Sequence, residues 1–90
     1  METKRFNVEF DPKAATEFKK ICRNNLSLHS RLTKTIDSLI TNPFKGKPLS
    51  GSKKGCYSLR EGDYRVIYET YFPQHIIHII KVGHRRDVYR

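Results

Sequence analysis

The chain has 90 residues, and 18 lysines and arginines against 9 acids leave a formal net charge of +9 at pH 7. A chain of that length forms one domain, here 1–90, without room for separate cofactor and substrate units or for a deep pocket. No apolar stretch approaches the roughly 20 residues that span a bilayer, and the opening Met-Glu-Thr-Lys-Arg-Phe lacks the apolar centre of a signal peptide, which points to the cytoplasm and to no membrane partner.

Phe6, Val8 and Phe10 alternate with Arg5, Asn7 and Glu9, the period of a half-buried strand. Asp11-Pro12 then opens a helix, because an Asp side chain accepts from the free amides of the first turn and Pro needs no bond there. Ala14, Phe18, Ile21 and Cys22 form its apolar stripe, and it ends near Asn24-Asn25. Leu28, Leu32, Ile36, Leu39 and Ile40 define a second helix, stopped by Asn42-Pro43. Residues 43–55 read as a basic loop with three Gly, two Pro and four Lys.

Cys56 to Arg60 reads as a strand, Glu61-Gly62-Asp63 as a turn and Tyr64 to Thr70 as its hairpin partner. His75 to Val82 is apolar on both faces, which predicts the interior strand, and Gly83 is expected to break it. The sum is an α+β fold: an N-terminal strand, a helical hairpin, then a three-stranded antiparallel meander, with the helices packed on one face of a small twisted sheet. The other face is left open for an extended ligand.

The strong positive field attracts polyanions, nucleic acid first among them. Cys22 and Cys56 make a thin disulfide framework and read as reduced thiols. His75 and His78 fall three apart in a strand, on opposite faces, and no Cys-x-x-Cys or His-x-x-x-His occurs, so no metal site is expected. Gly46, Gly51 and Gly55 precede a strand rather than a helix, so no nucleotide cradle is expected either, and no cofactor. What remains is basic and aromatic. A mid-strand Arg65 must either pair with Glu69 or face an anionic site, because an unpaired buried guanidinium is costly. His84, Arg85, Arg86 and Tyr89 follow the last strand, and Lys53 and Lys54 lead into the hairpin. Such a set suits a scissile phosphate and a stacked base, and RNA carries its own nucleophile in the 2′-hydroxyl. The bland alternative is a sheet salt bridge at Arg65 and a solvated basic tail.

The segments Gly62-Asp63-Tyr64-Arg65-Val66-Ile67-Tyr68-Glu69 and Ile79-Ile80-Lys81-Val82-Gly83-His84-Arg85-Arg86-Asp87-Val88-Tyr89 resemble the RelE branch of the RelE/ParE toxin superfamily of toxin–antitoxin systems. With the order of elements, the resemblance covers nearly the whole chain. It implies a metal-independent mRNA endonuclease acting in the ribosomal A site, with ribosome and mRNA as partners and a cognate antitoxin that wraps the toxin in a hetero-oligomer. It further implies that Arg65 stabilises the transition-state phosphate, that Arg85, with Arg86 beside it, serves the leaving group or phosphate, and that Tyr89 stacks on the nucleotide or moves a proton. Ser58 and Arg60 stand where well-known members carry two lysines. Arg60 is the candidate for one of those roles; the other is either lost or taken by Lys53 or Lys54 from the loop. Arginine is a poor proton acceptor, which makes His84 or Tyr89 the expected acid–base group. Two further readings stay open: a ParE-like poison of DNA gyrase without nuclease activity, and a degenerate, non-catalytic RNA-binding module.

Overall fold

The computed structural model describes residues 5–88. Strand β1 (Asn7–Phe10) leads into helix α1 (Pro12–Cys22), where the Asp11 side chain accepts from the Lys13 amide at 3.1 Å and Lys19 and Lys20 face the negative end of the helix dipole. Asn24 takes a left-handed φ of 58° between the helices, and Asn25 caps α2 (Leu26–Asp37) by accepting from the Leu28 amide at 3.0 Å. A 3₁₀ turn, Ser38–Ile40, ends the helical hairpin.

The sheet then builds through β2 (Lys47–Pro48), β3 (Tyr57–Glu61), β4 (Tyr64–Tyr71) and β5 (Ile76–His84), in the spatial order β1-β5-β4-β3-β2. The interior position of β5 is as expected from its apolar faces. Three features differ from the sequence reading. The sheet is mixed, since β1 runs parallel to β5 while the other pairs are antiparallel. The basic loop contains a short edge strand, β2, and a 3₁₀ turn at Gly51–Lys53. Gly83 does not break the last strand, which continues to His84; a Cβ at Gly83 would lie 3.3 Å from a methyl of the fully buried Val88, so glycine lets the tail fold back on its own strand.

Leu28, Leu32, Ile36 and Leu39 pack with Ala14 against Leu59, Val66, Tyr68, Ile77, Ile79 and Val82. Alternation carries the neighbours of these strand residues to the opposite, uncovered face. Beyond Phe10, α1 runs along the part of β5 that β1 no longer pairs, and the Glu17 carboxylate accepts from the Val82 amide at 3.5 Å. Both cysteines are free, Cys22 buried and Cys56 half-buried.

Candidate functional site

The open face is laid out by strand register. Lys47, Ser58, Ile67 and Lys81 form one row across four strands, and Arg60, Arg65 and Gly83 form the next. Arg60 and Arg65 are direct cross-strand partners, an arrangement of like charges that destabilises a sheet. Neither has a carboxylate partner among the described residues. Arg60 donates to the Gly62 carbonyl at 3.3 Å, and Arg65 makes one long contact, 3.4 Å, to the Tyr64 carbonyl. The nearby acids are engaged elsewhere: Glu61 accepts from Thr35 and Glu69 from Tyr71, so the Arg65–Glu69 pair offered by the spacing does not form. With Lys47 and Ser58 the two guanidiniums line an open groove of about 310 Å³.

Position of the groove depends on a buried tyrosine. Tyr68 is fully buried, and its hydroxyl donates to the Pro43 carbonyl and accepts from the Gly46 amide, both at 2.9 Å. That clamp holds the basic loop against the core and sets Lys47 opposite Ser58. A Cβ on Gly46 would meet the Tyr68 hydroxyl at 2.7 Å, so only glycine fits there. Burial, with Tyr57 alongside, pushes the Tyr68 phenol above its usual range, against the Gly46 hydrogen bond.

Arg85 reaches the same end of the sheet. Its amide donates to the Asp63 carbonyl at 2.7 Å and its exposed guanidinium lies 3.9 Å from the Asp63 carboxylate. Three of the expected residues, Arg60, Arg65 and Arg85, are therefore gathered around the β3–β4 turn. Lys53 instead borders a neighbouring pocket, while Lys54 and Arg86 are exposed and outside the groove. His84 pairs with Tyr64 and meets its ring at 5.6 Å; since Gly83 is the partner of Arg65, the imidazole is on the helix-bearing face, turned away from the arginines. Tyr89 lies outside the described residues.

Two residues of the cationic face were not singled out by the sequence reading. Lys47 was read only as one of the four lysines of the 43–55 loop, because its place is recognisable only once β2 is known to pair with β3, and two residues give no periodicity. Lys81 is the one charge in the run from His75 to Val82, a signal that was available.

The profile of the family described as ParE toxin of type II toxin–antitoxin system, parDE, matches residues 8–89. This chain belongs to that family. RelE1 of Methanocaldococcus jannaschii is 33% identical to it over 91 residues, covering 96% of this chain and 97% of that protein. Toxin RelE of Mycobacterium tuberculosis is 42% identical over 53 residues, 58% of this chain and 55% of the relative, so the matched part spans about half the length of that toxin. The RelBE2 toxin–antitoxin complex of M. tuberculosis superposes with a TM-score of 0.78 at 25% identity, over 90% of this chain and 99% of that one. Isolated Escherichia coli RelE shares the fold, with a TM-score of 0.73 at 22% identity over 88% and 83% of the two chains. The toxin is thus RelE-like within its superfamily.

Proposed function

We propose that this toxin is an endoribonuclease that cuts messenger RNA in the ribosomal A site and so inhibits translation in the cytoplasm, and that a cognate antitoxin restrains it in a hetero-oligomer. The Arg60–Arg65 pair carries the reading. Two arginines at directly paired cross-strand positions without a carboxylate partner cost stability in the free protein, a cost that an anion bound by both would offset.

Attack of the 2′-hydroxyl oxygen on the adjacent phosphorus forms a 2′,3′-cyclic phosphate and breaks the bond to the 5′-oxygen, which leaves with a proton while the 2′-hydroxyl loses one. The phosphate gains a second negative charge on the way to the pentacoordinate state. A pair of arginines therefore binds the transition state more strongly than the diester, which is the condition for rate acceleration. Lys47, opposite Ser58 across the ladder, supplies the cation that Ser58 does not. Arg85 serves the leaving side of the phosphate, Lys53, Lys54 and Arg86 extend the contact to flanking phosphates, and Tyr89 stacks on the nucleotide or transfers a proton. His84, on the other face, is assigned no part in the reaction.

The ParE description of the family favours a second reading, poisoning of DNA gyrase. Purified toxin incubated with programmed ribosomes separates the two. Cuts within the A-site codon that disappear in Arg65→Ala support the nuclease; intact mRNA together with gyrase–DNA cleavage complexes establishes the alternative.

A further inference from the structure

Three consecutive carbonyls of the β3–β4 turn each accept from an arginine of the site. Arg60 Nε donates to the Gly62 carbonyl at 3.3 Å, the Arg85 amide to the Asp63 carbonyl at 2.7 Å and Arg65 Nη1 to the Tyr64 carbonyl at 3.4 Å. The turn itself is held on both sides. Gly62 takes a positive φ of 58°, as a two-residue hairpin turn with glycine first requires, and Glu61 at its base accepts from Thr35 of α2 at 2.9 Å. One turn therefore mounts arginines that the chain brings from three places: the end of β3, the start of β4 and the segment after β5.

Asp63 adds its side chain to this mount. Its carboxylate lies 3.9 Å from Arg85 Nε, the one ion pair among the described residues of a chain with 18 lysines and arginines. Stability does not account for it, because the two side chains are 65% and 58% exposed and so open a pair contributes little to folding. Affinity does not account for it either, since a carboxylate beside an anion site repels phosphate. What it supplies is direction. Contact at Nε, the nitrogen nearest the chain, leaves the terminal nitrogens of the fork to a ligand, and an arginine already oriented gives up less rotamer freedom on binding.

We propose that Asp63 is a positioning residue for the cleavage step: it holds Arg85 by carbonyl and carboxylate together, so that the guanidinium meets the phosphate as charge builds on it. The inference rests on the nuclease reading for its chemistry, and its test includes a readout that needs no cleavage.

Arg85 is followed through the Nε–Hε signal of isotope-labelled toxin, identified by its disappearance in Arg85→Lys, with an oligoribonucleotide made uncleavable by a 2′-deoxy substitution at the scissile position. The wild-type complex is expected to give a sharp, displaced Arg85 signal. Asp63→Asn is expected to broaden it, with the backbone signals outside the turn unchanged, while the oligonucleotide binds at least as tightly because a repelling charge is gone. On programmed ribosomes Asp63→Asn is expected to lower kcat about tenfold or more with KM unchanged or lower, the effect of misplacing a group rather than losing it. It is expected to add no further loss in an Arg85→Ala background. An Arg85 signal indifferent to Asp63→Asn, or losses that multiply with those of Arg85→Ala, overturns the assignment. An Arg85 signal that depends on Asp63, in a wild-type toxin that leaves mRNA intact on ribosomes, would retain Asp63 as the holder of Arg85 and refute the nuclease.

Discussion

On the proposed function, Arg60 and Arg65 are a pair of residues that trades stability against activity. Replacing Arg60 with Glu converts a repulsive cross-strand pair into an attractive one, worth about 0.2–1 kcal/mol. Thermal unfolding of Arg60→Glu is therefore expected at a higher temperature than wild type, while cleavage on programmed ribosomes is lost. A variant that melts lower with activity intact would mean the pair is structural. Arg65→Ala, which removes the proposed transition-state donor, is expected to slow cleavage by about a hundredfold or more with little change in Tm.

Tyr68 acts on the same site from inside the core. Tyr68→Phe strips the partners from the Pro43 carbonyl and the Gly46 amide and is expected to cost about 1–3 kcal/mol in urea unfolding. Because the folded-state phenol titrates above its usual value near 10, the native state holds the proton longer than the unfolded chain. The advantage of the neutral phenol is complete below about pH 10 and is lost as the pH rises through the raised value. The stability gap between wild type and Tyr68→Phe should therefore narrow in strongly alkaline buffer, and a constant gap would contradict the buried-phenol account.

The elements divide by how far local sequence determines them. Both helices were legible because caps and stripes agree: Asp11 and Asn25 each close a first turn, and Leu28, Leu32 and Ile36 recur on one side. The interior strand was legible from its two apolar faces. The parallel pairing of β1 was not, since nothing in four residues distinguishes which edge they join. β2 was hidden because two residues have no period, and its position is decided by Tyr68, more than twenty residues away. Gly83 read as a breaker because glycine has no side chain to pack; in the fold that absence admits Val88. At the site, Arg65 was legible from its mid-strand position, Arg85 and Arg86 from following the last strand, and Arg60 only through the family resemblance, while the face of His84 and the placement of Lys81 depend on register and on a bulge in β5 at Ile80. Gly83→Val is expected to displace Val88 and the segment bearing Arg85 and Arg86, lowering both Tm and cleavage; unchanged cleavage would separate the tail from the reaction. His84→Ala, by its position, should leave the cleavage rate and its pH profile unchanged.

For the molecule as a whole, the net charge of +9 is not spread evenly in function. Helices and their core occupy one face, while register arrays Lys47, Arg60, Arg65 and Lys81 on the other, with Arg85 at the rim. On the proposed function, a face built this way is expected to hold a single strand through its phosphates. Binding of an uncleavable oligoribonucleotide should weaken steeply with salt, with a log–log slope near −0.7 per phosphate neutralised, and Lys47→Ala should reduce that slope by about one contact. A flat salt dependence would contradict the electrostatic reading.

The most direct test of the central claim is the end chemistry of mRNA recovered from programmed ribosomes after exposure to the toxin. The account predicts breaks in the A-site codon that leave a 2′,3′-cyclic phosphate upstream and a 5′-hydroxyl downstream, absent with Arg65→Ala. Intact mRNA with the wild-type toxin, or breaks that leave a 3′-hydroxyl and a 5′-phosphate, would contradict it.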